Sequence, residues 1–228
     1  MKYNNNSDTR NNPGGELEHE YTYGVPYDEY SVQVERDIIS SESYKRLFSH
    51  LETKGLILNN RVVELIYEYT KKAVIENAGT RFESLYLIDI DEGKLLGSID
   101  APEEKKENHI EYTKDFDNVL ETVRNRQLRT IAVHNHPDGY PPSLDDISRI
   151  VENGYTLALA AGGNGLLYQY FNFENRVFSR ETCDFIHSII RNDIIHGVDP
   201  DRAHHIMYKK LNVGYTIIGG KSYGKYGD

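Results

Sequence analysis

His134 and His136 stand two residues apart at the end of Arg129-Thr130-Ile131-Ala132-Val133, a β-branched, apolar run that reads as a buried strand. Side chains two apart on a strand share a face, so both imidazoles can approach one metal ion. Pro137-Asp138-Gly139-Tyr140-Pro141-Pro142 then breaks the strand and forces a turn. Ser143 follows where a helix begins, and Asp146 lies one turn along that helix, which spans Leu144 to Val151. Two imidazoles and one carboxylate are the protein ligands of a catalytic zinc site, which keeps a fourth position open. The chemistry of such a site is hydrolytic, because zinc lowers the pKa of water to about 7 and polarises a carbonyl.

These residues resemble the signature of the JAMM (MPN+/JAB) metalloproteases: His-x-His-Pro, a Gly-containing loop, then Ser-x-x-Asp. The resemblance implies that His134, His136 and Asp146 bind Zn2+ and that Ser143 donates a hydrogen bond to the oxyanion. It also implies an upstream glutamate that handles the proton of the attacking water. Glu83 matches it, since Glu83-Ser84-Leu85-Tyr86-Leu87-Ile88-Asp89-Ile90-Asp91 looks like the Glu-bearing first strand of bacterial RadC-like JAB domains. The implied fold is α/β (α+β), a JAB/MPN-like (cytidine-deaminase-like) mixed sheet flanked by helices. The implied activity is that of a zinc metallopeptidase cleaving a peptide or isopeptide bond, with a protein, peptide or ubiquitin-like modifier as partner. The resemblance covers residues 60–173. Its one departure is the loop at 137–142, one residue shorter than the family's usual loop, while the Ser-to-Asp spacing is kept. No long insertion follows the metal helix where the family's deubiquitinases grip ubiquitin, so the chain looks like a minimal, prokaryotic-type core.

Each residue also has a plainer reading. Ser143 and Asp146 suit a capping box, His134 and His136 suit satisfied strand histidines, and Glu83 suits a strand-edge carboxylate. Their conjunction in this order favours the metal site, in which Ser143 both caps and catalyses. Asp145, beside the ligand, and Asp138, in the turn, read as second-rank or solvent-facing groups. Two rival functions stand beside the peptidase. One is a RadC-like protein of a mobile element or defence system using the fold for interaction or nucleic-acid work. The other is a zinc-free binding module on the same scaffold. A zinc deaminase is excluded, because its Pro-Cys-x-x-Cys element needs two cysteines and the chain has one.

The remaining elements must position this stretch. Residues 1–33, rich in Asn, Gly and acidic residues, read as a disordered arm, with Tyr21, Tyr23, Tyr27 and Tyr30 as its unusual feature. A JAB/MPN-like domain is expected over 40–176. In it, a short amphipathic helix over 41–51 precedes a longer one over 60–77, with Val62, Leu65, Ile66, Tyr69 and Ala73 at helical spacing. Residues 85–91 and 94–99 read as a hairpin about Asp91-Glu92-Gly93. A charged loop over 101–108 and a helix over 112–126 lead to the metal strand. Strands at 156–161 and 166–173 flank Gly162-Gly163-Asn164-Gly165. Residues 177–228 read as a C-terminal extension of two helices, 180–196 and 202–211, a strand at 215–218 and a tail. His204 and His205, on adjacent helical positions that diverge by about a hundred degrees, read as surface histidines. Gly219-Gly220 reads as a linker.

Composition narrows the partners. A formal net charge of −10 over 228 residues argues against a general nucleic-acid binder and against an anionic membrane surface. The single cysteine, Cys183, excludes an intramolecular disulfide and a Cys-rich zinc cluster, and reads as a small buried helix residue. Neither a signal peptide nor a membrane-spanning run stands out, so a soluble, cytoplasmic protein is expected.

Overall fold

The computed structural model describes residues 36–51, 56–100, 110–137, 139–218 and 222–223. The arm at 1–33, the charged loop at 101–108, Asp138 and Gly219-Gly220 lie outside the described residues. Helix α1 (Glu42–Leu47) runs into a single 3-10 turn (Phe48–His50), and α2 covers Asn60–Asn77. Then come β1 (Leu85–Asp89), β2 (Lys94–Ile99), α3 (Lys114–Arg126), β3 (Thr130–His136), α4 (Leu144–Asn153), β4 (Leu157–Gly162) and β5 (Leu167–Asn172). The described chain closes with α5 (Arg180–Ile195), α6 (Pro200–Leu211), β6 (Val213–Ile217) and β7 (Ser222–Tyr223). Side-chain caps fix where the helices start: Asn59, Thr113, Ser143, Ser179 and Asp199 each accept a hydrogen bond from a first-turn backbone N–H.

The architecture is α+β, with one mixed sheet flanked by helices, as the sequence suggested. Its strand order is β2-β1-β3-β4-β5-β6-β7. β3 pairs antiparallel with β1 and parallel with β4, and α4 makes the crossover that a parallel pair requires. Alternation along β3 divides the core. Ile131 and Val133 pack on one face with Val62 and Ile66 of α2 and Leu157 and Leu159 of β4. Ala132 packs on the other face with Phe116 and Leu120 of α3. By the same alternation Asn135 belongs to the α2 face, and His134 and His136 to the opposite one.

That opposite face also carries the C-terminal helices. Leu144 and Ile147 of α4, Tyr168 of β5, Ile186 and Ile190 of α5 and Tyr208 of α6 form one buried cluster. Residues 177–218 therefore share a sheet and a core with the elements that carry the metal motif. Cys183 is buried on α5, and burial, reinforced by the Asp145 and Asp184 carboxylates, pushes its thiol up to about 11. Among the described residues no helix is long and apolar enough to cross a membrane.

One expectation is corrected. His204 is not a surface residue: only 7% of it is exposed. Ala203, His204 and Tyr208 form the buried stripe of α6, so the helix turns His204 inward and leaves His205 half-buried.

Candidate metal centre

β3 is buried along its whole length and held by a strand on each side, so its C-terminal end is a fixed platform. There the Nε2 atoms of His134 and His136 lie 2.9 Å apart, their rings meeting edge to face with centroids 4.7 Å apart. Asp146 completes the group: Oδ1 lies 3.6 Å from His134 Nε2, and Oδ2 lies 3.3 Å from His136 Nε2. A tetrahedral zinc with ligands at about 2.0–2.1 Å separates those ligands from one another by about 3.3 Å. The observed separations bracket that value. The three side chains, with ligand atoms all within 4.8 Å of one another, can hold a metal ion.

Local chemistry brings Asp146 to this position. Gly139 has φ of +70°, and a Cβ there would sit 2.4 Å from Asn164 Nδ2, so only glycine fits the turn. Gly139 N donates to His136 O at 3.0 Å, and Gly139 O accepts from the Tyr168 hydroxyl at 2.9 Å. The Tyr208 hydroxyl, from α6, donates to Pro142 O. Ser143 then starts α4 with a reciprocal capping box: its Oγ accepts from Asp146 N at 3.1 Å, and Asp146 Oδ2 accepts from Ser143 N at 2.7 Å. Ser143 Oγ also donates to Asp146 Oδ2 at 2.7 Å. The cap thus occupies Oδ2 and takes no bond from Oδ1.

The surroundings set the ligands' protonation. Burial pushes His134 down to about 4, more than the Asp146 carboxylate pulls it up, so the ring is neutral near pH 7. Burial alone would raise Asp146, but the two imidazoles and the Ser143 hydroxyl outweigh it and hold the carboxyl well below the usual carboxylate range. Neutral imidazole and ionised carboxylate are the metal-binding forms. His136 Nδ1 lies 2.9 Å from Tyr140 O, which can only accept, so Nδ1 carries the proton and Nε2 presents its lone pair. The Tyr170 hydroxyl lies 3.4 Å from His134 Nδ1 and braces that ring.

Glu83 precedes β1 by two residues. Leu85 pairs with His134, so continuing the register brings Glu83 level with His136 on the same face. The strand expected to include Glu83 starts only at Leu85, because Ser84 N donates to the Asn135 side chain, at 2.8 Å, instead of to a β3 carbonyl. Asn135 Nδ2 donates to Phe82 O at 2.9 Å, and Asn77 Nδ2 donates to Asn135 Oδ1 at 3.2 Å and to Ser84 Oγ at 2.9 Å. Side chains therefore pin the segment where backbone pairing stops. Glu83, His136, Ser143 and Asp146 line one cleft of about 590 Å³. Burial, and after it the Asp146 carboxylate, push the Tyr170 hydroxyl well above its ordinary value.

All five residues singled out in the sequence thus meet at one end of the sheet. Asp145 is exposed and pairs with Arg149 at 3.5 Å, as a solvent-facing group does. Asn77, Asn135 and Tyr170 escaped the sequence reading. Asn135 lies between the two histidines but points to the other face, and its one signal was a polar residue on a strand face otherwise occupied by Ile131 and Val133. No family model matches the chain, and no curated protein or solved structure matches it either.

Proposed function

We propose that the chain is a zinc-dependent amide hydrolase of the JAMM type, acting on a peptide or on the peptide tail of a ubiquitin-like modifier. The observation that carries this reading is the 2.9–3.6 Å spacing of the His134, His136 and Asp146 ligand atoms, which suits a tetrahedral ion. A mixed sheet with these ligands at the end of a central strand supports a JAB-type fold. The net charge of −10 supports a protein partner over a nucleic acid.

In this mechanism His134, His136 and Asp146 hold the zinc, which when bound supplies Lewis acidity toward water and the scissile carbonyl. The Glu83 carboxylate takes the proton of the attacking water and returns it to the leaving amine nitrogen. Ser143 Oγ stays anchored through the hydrogen bond it accepts from Asp146 N. Its own hydrogen turns from Asp146 Oδ2 to the carbonyl oxygen as charge builds there, a contribution of about 3 kcal/mol for such donors.

Elemental analysis of the purified protein beside His136→Ala and Asp146→Ala variants tests the reading. The expected result is about one zinc per chain, lost in both variants. Failure to bind zinc even when it is supplied overturns the reading and leaves the scaffold as a binding module.

A further inference from the structure

The cleft continues past the metal ligands. It runs along α5, where Ile186, Ile190 and Ile194 recur one turn apart and, with Phe178, line an apolar floor. His204 of α6 interrupts that floor with a polar atom. Its Nδ1 lies 2.8 Å from Pro200 O, a carbonyl that can only accept, so Nδ1 carries the proton and Nε2 the lone pair. The ring stands edge-on to Tyr208, 5.5 Å between centroids, and its exposure is only 7%. Among the described residues Nε2 has no hydrogen-bond partner, and the ring lines the cleft. Nε2 opens onto the cleft and not into the packed core, so a donor that enters the cleft can reach it.

The place is tied to the reaction centre. Tyr208, one turn beyond His204, donates to Pro142 O immediately before Ser143. Burial pushes His204 down to about 4, so near neutral pH it can only accept at Nε2. Charged groups of both signs line the cleft, Arg149, Arg180 and Arg191 with Asp145, Glu152 and Asp184. Fixed polar groups in an apolar wall orient a ligand, and the wall takes its bulk.

Resting on the amide-hydrolase reading, we propose that this floor is a subsite for an aliphatic side chain of an extended peptide substrate. In it His204 Nε2 accepts a hydrogen bond from a backbone N–H of that peptide.

The test is calorimetry on the zinc-loaded full chain with three metal-binding probes: acetohydroxamate, N-acetyl-leucine hydroxamate and its N-methyl analogue, which lacks the N–H. The leucine probe is expected to bind at least tenfold more tightly than acetohydroxamate. Most of that advantage should vanish with the N-methyl analogue and in His204→Leu, and it should also shrink in Ile190→Ser. Equal affinity of the parent protein for acetohydroxamate and the leucine probe overturns the subsite while leaving the metal reading intact. An advantage that survives both N-methylation and His204→Leu overturns the role of His204. Failure of acetohydroxamate itself to bind overturns the metal reading, and the subsite with it.

Discussion

Asn135 Oδ1 accepts a hydrogen bond from Ser84 N at 2.8 Å, and this bond fastens the segment bearing Glu83 to the strand bearing both histidines. Asn135 points to the α2 face while its two neighbours point to the metal, so one strand fixes the ligands with one face and the glutamate with the other. Asn135→Ala would leave Ser84 N buried without its acceptor, a loss that costs about 1–3 kcal/mol. The expected outcome is a lower unfolding midpoint, unchanged zinc content and amide turnover reduced about 10–100-fold, because a small misplacement of a reacting group is enough. Turnover equal to that of the parent protein would show that Glu83 keeps its place without Asn135.

Glu83→Gln keeps shape and removes the proton acceptor. Zinc content should stay at the parent level while turnover falls at least about 100-fold, the usual weight of a positioned general base. Parallel measurement of metal and turnover decides the point, and a fully active variant takes Glu83 out of the chemistry.

Ser143 carries two loads that separate on substitution. Ser143→Ala loses the cap of α4, worth about 1 kcal/mol, and should also lower turnover about 100-fold through loss of the oxyanion donor. Ser143→Thr keeps a capping hydroxyl, so denaturant unfolding should show most of the stability restored. An alanine variant as stable and as active as the parent contradicts both roles.

Metal binding should appear directly as stability. A ligand that binds only the folded state adds about 2.7 kcal/mol at a free concentration one hundred times its Kd. Zinc is expected to raise the thermal midpoint of the stripped protein, and a chelator to reverse the rise. Asp146→Ala should show no such response in the same scan.

His204 predicts a definite acid sensitivity. The folded state holds it at about 4, below its ordinary value of 6.5, because burial disfavours its charge. As pH falls from 6.5 toward 4, the unfolded chain binds a proton that the folded chain refuses, so stability falls with pH across that window. Above pH 6.5 both states are neutral and the effect vanishes. The slope contributed approaches about 1.4 kcal/mol per pH unit. Urea unfolding at pH 7, 6 and 5 should therefore show a flatter dependence in His204→Leu than in the parent protein, and identical slopes would refute the assignment.

The ligand set was legible because every part of it is local. Period-two alternation puts His134 and His136 on one face, Gly139 and the prolines make the turn, and Ser143 with Asp146 forms the reciprocal cap. The helices and the β1–β2 hairpin were legible for the same reason, since periodicity and caps act within a few residues. Glu83 reached the site only by its resemblance to a family strand. Its position depends on the register of β1 against β3 and on Asn77 and Asn135, contacts that span up to 58 residues of chain. Register follows from which faces of a sheet become buried, and no short window of sequence contains that information. The same holds for His204. Helical geometry separates it from His205, but which of the two turns inward depends on where α6 meets Tyr215 and the loop before Ser143. The sequence alone therefore determined the donors and their local geometry. The tertiary structure decided what surrounds them, because burial and register belong to the whole sheet.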